Sequence, residues 1–246
     1  LRHLSFWPAL SHISFRFVIF AFRKEKKFPR IDPTGKTVAG IRNGHNTPAK
    51  SPDRQQQRDN DRPAHLQTNT KNNDMNRVEN ALAHATETKA LRIGAGILPQ
   101  SGDMFRELFP GKRAVIIADP TTLRVAGSDD GQDQPHIFIS PDLHAEWEFV
   151  EELDAVLQRT DAIPVAVGSG TINDLVKLCS HRNGRRYMVV GTAASMDGYT
   201  SFGASITFEG AKQTFSCPAP LGVLADTAII AAAPKEMTAS GYADLF

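Results

Sequence analysis

Two cysteines among 246 residues, Cys179 and Cys217, cannot build a disulfide framework, and their separation is not that of a metal-binding pair. A reducing, cytoplasmic setting fits such usage best. None of the eight histidines forms an HxxxH or similar pair, so spacing alone supports no metal site. Long apolar runs are scarce. The longest, Leu4 to Phe22, is interrupted by Arg16, Pro8, serines and a histidine, and its basic cluster Arg23 to Lys27 follows rather than precedes it. That order is wrong for a secretory signal, and the run is poor for a membrane span. Net charge is also small, at +1.

That small total averages two unlike parts. Residues 1–75 carry a net charge of +8 and residues 76–246 a net of −7. Such an asymmetry marks a boundary. The basic charges are scattered without a nucleic-acid-binding motif, so neither nucleic acid nor membrane is expected as a partner. Residues 43–74 are almost entirely polar and too poor in apolar side chains to offset ordering entropy. Residues 1–75 are therefore expected to be a disordered or non-native extension, with Met75 as the natural start. No internal repeat is present.

From residue 91 onward strand-like and helix-like segments alternate. Leu91 to Gly96 reads as a strand and tight turn, and Ser101 to Phe109 as a short helix. Ala114 to Ala118 is a continuous apolar run ending at Asp119-Pro120. Runs apolar on both faces suit buried parallel strands. His136 to Ser140 reads as a strand, and Pro141 as the opening of a helix through Gln158. Val165 to Val167 and Tyr187 to Val190 are further strands, separated by the amphipathic stretch Ile172 to Leu178. After Ser201 the pattern shortens into strands at Ser205–Phe208, Thr214–Cys217 and Leu221–Leu224, with a turn at Glu209-Gly210. A short helix or turn covers Asp226–Ala233, and Pro234 opens a final helix. The expected fold is α/β: a Rossmann-like parallel-sheet domain with a β-hairpin region over 76–233, then the start of a truncated helical domain over 234–246.

Three places carry chemistry. Gly168-Ser169-Gly170-Thr171 links a strand to a helix, where unpaired N–H groups and the helix dipole favour a phosphate. It lacks the GxGxxG spacing, so taken alone it reads more readily as an ordinary strand-to-helix turn. Thr171 is expected to cap the helix, paired with Asp174 in a weak capping box. Asp119 closes a strand where a ribose hydroxyl could be bound, or simply forms the turn before Pro120. The loop Thr192 to Ser201 gathers hydroxyls, small residues and the carboxylate of Asp197. Gly94-Ala95-Gly96 reads as a turn.

Read together, Val167 to Asp174, Thr192 to Ser201 and Thr238 to Leu245 resemble the iron-containing alcohol dehydrogenase and glycerol dehydrogenase superfamily, and within it the sn-glycerol-1-phosphate dehydrogenases. The similarity extends from about residue 77 to the end and is stronger than any single motif. It implies a two-domain, homodimeric oxidoreductase of phospholipid metabolism. The first domain would bind NAD(H) or NADP(H), and Zn or Ni would lie between the domains. It also implies site residues. Asp119, Gly170, Thr171, Ile172, Asn173, Asp174, Thr192, Ala193, Ala194, Ser195 and Ser201 would meet the dinucleotide. Asp197 would bind substrate. Asp244 would be the catalytic centre's first metal ligand and a substrate contact. The substrate pair would be dihydroxyacetone phosphate and glycerol 1-phosphate.

The resemblance also carries a departure. Its remaining metal ligands are histidines beyond Asp244, so this chain on its own is expected to be inactive. A glycerol dehydrogenase or dehydroquinate synthase-like enzyme, and a non-catalytic nucleotide-binding fragment, stand as the alternatives. Asp119 leans towards NAD by repelling a 2′-phosphate.

Overall fold

A computed structural model describes residues 77–126 and 135–245. The expected extension over 1–75 and the start at Met75 lie outside these residues. A helix, α1, covers 77–84. Six strands then form one parallel sheet: β1 (Ala90–Gly94), β2 (Ala114–Ala118), β3 (His136–Ile137), β4 (Ile163–Gly168), β5 (Met188–Gly191) and, two strands later in the chain, β8 (Gly222–Asp226). Between β5 and β8 the chain forms an antiparallel hairpin of β6 (Ala204–Phe208) and β7 (Ala211–Phe215). The helices are α2 (Ser101–Leu108), α3 (Pro120–Ala126), α4 (Trp147–Leu157), α5 (Gly170–Arg182), α6 (Thr227–Ala232) and α7 (Lys235–Ala243). No helix among the described residues is long and apolar enough to cross a membrane.

The central strands are buried on both faces, as their unbroken apolar runs require. Ile116 and Ala118 of β2, Val165 and Val167 of β4, and Val190 of β5 join Met104, Phe105 and Phe109 in one cluster. Ile117, Ala166 and Val189, one residue out of phase, are also fully buried, as are Ile172, Leu175 and Val176 of α5. Each buried aliphatic side chain contributes about 1.5–3 kcal/mol relative to exposure. Val189→Asp would place an unpaired carboxylate in the middle of this sheet.

The strand order is β1-β8-β5-β4-β2-β3. After β2 the chain turns outward to the edge strand β3. After the neighbouring strand β4 it turns the other way, to β5. The carboxyl ends of β2 and β4 therefore flank the point where the winding reverses, which in open parallel sheets leaves a crevice for ligands. Asp119 follows β2, and Gly168 closes β4 in register with Gly191 at the end of β5.

Several boundaries differ from the expected ones. The helix opened by Pro141 starts only at Trp147, because Glu146 is extended and bridges Thr207. Strand β7 lies about three residues earlier than composition indicates, set by a two-residue turn at Glu209 (φ 50°) and Gly210 (φ 75°). The hairpin is anchored by Trp147, whose ring lies 4.6 Å from that of Phe208 and 5.5 Å from that of Phe215.

Candidate functional site

Helix α5 begins at Gly170 with Ser169 as its N-cap, so Thr171 is the second helical residue and not the cap. Ser169 makes no side-chain cap bond. The first intrahelical bond runs from Asn173 N–H to the Ser169 carbonyl. The amides of Gly170, Thr171 and Ile172 thus precede the helical ladder, and helix ends of this kind receive anions. Gly170 N–H donates to Ser195 Oγ at 3.0 Å. A Cβ on Gly170 would lie 2.7 Å from Met196 Sδ, so any larger residue there would require the Met196 side chain to shift.

The capping-box role expected of Asp174 is also replaced. Its Oδ2 accepts from Ser205 N–H at 3.2 Å, and its Oδ1 lies 3.7 Å from Lys177 Nζ. Asn173 is fully buried and accepts from the Tyr187 hydroxyl at 3.0 Å. Both side chains are occupied inside the fold, because α5 is wrapped by the sheet on one side and by β6 and α4 on the other. Burial raises the pKa of Asp174 and lowers that of Lys177, each opposed by the charge of the other.

Asp119 Oδ1 accepts from the N–H groups of Thr121 and Thr122 at 2.7 and 2.9 Å. It is therefore an N-cap for α3, with Pro120 at the first helical position. The turn reading of Asp119 holds, and its carboxylate stands on the rim at the winding reversal.

The loop after β5 is built from inside. Thr192 N–H donates to the Gly168 carbonyl at 3.1 Å, joining the ends of β5 and β4. Buried Tyr199 donates to the Ala193 carbonyl at 2.8 Å, and its oxygen lies 3.5 Å from Ser195 Oγ. Burial raises its pKa, keeping the phenol protonated. Ala193 and Ala194 are buried. Ser201 Oγ donates to the Gly198 carbonyl at 2.8 Å.

Helix α7 closes over this loop at Gly241. A Cβ there would lie 2.1 Å from the Ala194 carbonyl oxygen. The contact brings Asp244 to Asp197: Asp244 Oδ2 accepts from Asp197 N–H at 3.2 Å. Asp197 is half-buried and Asp244 exposed. The two residues expected to meet substrate are thus neighbours, beside the helix start expected to meet the dinucleotide. Carboxylates suit a hard divalent cation, but a catalytic zinc takes three protein ligands. Among the described residues no three His, Cys, Asp or Glu side chains gather to hold a metal. These residues alone do not fit a complete metal centre.

Two residues that shape the rim escaped the sequence reading. Lys177 holds the loop from below. Asp226 ends β8, and its carboxylate accepts from the N–H groups of Gly96 and Leu98, at 3.0 and 2.9 Å, and Ala228, at 2.9 Å. A lysine inside the apolar stretch Leu175 to Cys179 was the available signal for the first, and an Asp opening a helix for the second.

Residues 92–234 match the family described as iron-containing alcohol dehydrogenase. The chain is 32% identical over 173 residues to the glycerol-1-phosphate dehydrogenase (NAD(P)+) of Bacillus licheniformis, covering 66% of this chain and 43% of that protein. It is 36% identical over 160 residues to the enzyme of the same name from Methanosarcina mazei, covering 62% and 44%. The chain thus spans less than half the length of these curated relatives. Among solved structures it resembles a probable glycerol dehydrogenase from Sinorhizobium meliloti, with a TM-score of 0.56, 26% identity, and coverage of 64% of this chain and 44% of that one. The fold is also that of an iron-containing alcohol dehydrogenase from Thermotoga maritima, with a TM-score of 0.54, 17% identity, and coverage of 63% and 50%.

Proposed function

The chain belongs to the iron-containing alcohol dehydrogenase family, and from that premise we propose that it forms the nucleotide-binding part of an NAD(P)-dependent sn-glycerol-1-phosphate dehydrogenase. The observation that carries this reading is the juxtaposition at one rim. The start of α5 meets Ser195 and Asp244 at the end of α7 meets Asp197, so one continuous loop makes both contacts.

In this reading the dinucleotide diphosphate lies against the amides that open α5. The hydroxyls of Thr192 and Ser195 line its path, and Asp119 stands towards the adenosine ribose. Asn173 and Asp174 act from within, by holding the helix and loop together. Asp197 and Asp244 grip the hydroxyls of a three-carbon polyol or its ketone. The nicotinamide supplies hydride when bound; the chain's own residues orient the acceptor carbon towards it. Zn or Ni would be held by Asp244 together with donors beyond the described residues. The names of the curated relatives favour the phosphorylated substrate. Homodimer formation follows the same kinship.

The test has two arms. NADH titrated into the chain should quench intrinsic fluorescence saturably. NADH oxidation with dihydroxyacetone phosphate should be absent from the chain alone. It should appear when the polypeptide extends through a complete set of metal ligands, with dihydroxyacetone phosphate preferred over dihydroxyacetone. Preference for the unphosphorylated ketone would favour a glycerol dehydrogenase, the reading suggested by the resemblance to the Sinorhizobium structure.

A further inference from the structure

A lysine with almost no contact with water lies beneath the loop that carries Asp197. Lys177 is 1% exposed. Its Nζ donates to the main-chain carbonyls of Gly198 at 3.2 Å, Ser201 at 3.1 Å and Gly203 at 3.0 Å. An ammonium has three N–H donors, and three carbonyls meet them here. A neutral amine would turn its lone pair towards one of these carbonyl oxygens, so the geometry selects the charged form. One turn away on the same helix, Asp174 lies 3.7 Å from the ammonium and accepts from Ser205 N–H. Together the two side chains grip the backbone from Gly198 to Ser205.

Stability alone is a poor explanation for this pair. Taking both charges out of water offsets most of their attraction, and well-packed apolar replacements are often as stable. What the pair does supply is a fixed backbone. Three carbonyls that converge on one ammonium cannot rotate independently, and their segment starts one residue after Asp197. The grip also originates on α5, the helix whose first residue bonds Ser195. The loop is thereby held to α5 at two points, near the dinucleotide end through Gly170 and near the substrate end through Lys177.

We propose that Lys177 is a positioning residue. Through the carbonyls of Gly198, Ser201 and Gly203 it fixes the loop that presents Asp197 beside Asp244, and sets that loop against the dinucleotide turn on the same helix. The inference rests on the dehydrogenase reading for its substrate, and on geometry alone for the order of the loop.

Residue-resolved amide exchange on the chain and on Lys177→Met tests it. Exchange at residues 197–203 should rise about tenfold or more, while amides of β4, β5 and β8 stay within about threefold of the parent. In the parent, Asp244→Asn should shift the Asp197 amide resonance; in Lys177→Met that response should vanish, and Lys177→Arg should restore part of it. With NADH bound, dihydroxyacetone phosphate should shift the Asp197 amide of the parent and not that of Lys177→Met. Where the Met variant does not fold, Lys177→Gln, which keeps two N–H donors, should show the same pattern at smaller amplitude. Equal acceleration in loop and strands would make Lys177 an ordinary core residue and overturn the proposal, as would an unaltered loop. NADH titrated into the parent separates the two readings: a loosened loop in a chain that binds no NADH supports the grip and removes the dehydrogenase assignment.

Discussion

Asp197 and Asp244 meet across 47 residues of chain, the main-chain N–H of the first donating to Oδ2 of the second at 3.2 Å. The contact depends on Gly241, three residues before Asp244, because a side chain there would collide with the Ala194 carbonyl. A backbone carbonyl cannot swing aside as a flexible side chain can. Gly241→Ala should therefore displace α7 and cost about 1–3 kcal/mol, read as a lower urea midpoint at unchanged slope. The Asp197 amide should exchange faster. An unchanged midpoint together with an unchanged Asp197 amide would remove α7 from this position.

Gly170→Ala is expected to behave differently. Its Cβ would meet the Met196 thioether at 2.7 Å, and that side chain can move. Stability should change by less than about 1 kcal/mol. NADH affinity should fall about tenfold or more, because a methyl group would stand where a phosphate approaches the amide. Fluorescence titration and urea unfolding on the same variant separate the two effects.

Asp226 gives the protein an acid limb. Burial alone would raise its pKa, but the N–H groups of Leu98, Gly96, Ala228 and Ile229 outweigh burial and hold the carboxyl below its ordinary value. A group depressed in the folded state contributes fully above its unfolded pKa of about 3.9 and loses that contribution as pH falls through the lower folded value. Asp226→Asn should cost about 2 kcal/mol at neutral pH and flatten the stability profile below about pH 4. A parallel acid limb in parent and variant would assign it to other carboxylates.

Both thiols should be silent in the native protein. Burial pushes Cys217 up to about 11 and raises Cys179 further still, so the thiolate fraction at mild alkaline pH is small. A chromogenic disulfide should label neither in the native chain and both in guanidinium. Rapid native labelling of Cys179 would show that α5 opens.

The parallel sheet was legible because strands buried on both faces must be written as unbroken apolar runs, as Ala114–Ala118 and Val165–Val167 are. The glycine turn and the 192–201 loop were legible as motifs. Their partners were not. Ser169 replaced Thr171 as the cap because the helix starts two residues earlier than the expected cap implies. Asn173 and Asp174 look like rim residues in one dimension, yet α5 is covered on nearly every side, which periodicity on a single amphipathic helix does not convey. Lys177 and Asp226 do their work through backbone atoms far along the chain, and no sequence pattern records which carbonyls or amides a fold will bring to a buried charge.

The dinucleotide site is decided at the start of α5. There the Gly170 amide bonds Ser195 Oγ, and a bound diphosphate would compete for that donor. Nitrogen-labelled chain titrated with NADH should show saturable shifts at Gly170, Thr171 and Ser195 together, abolished by Gly170→Val. Saturating NADH that leaves all three resonances unmoved, in a chain whose β4 and β5 amides report an intact sheet, would contradict a dinucleotide site at this helix.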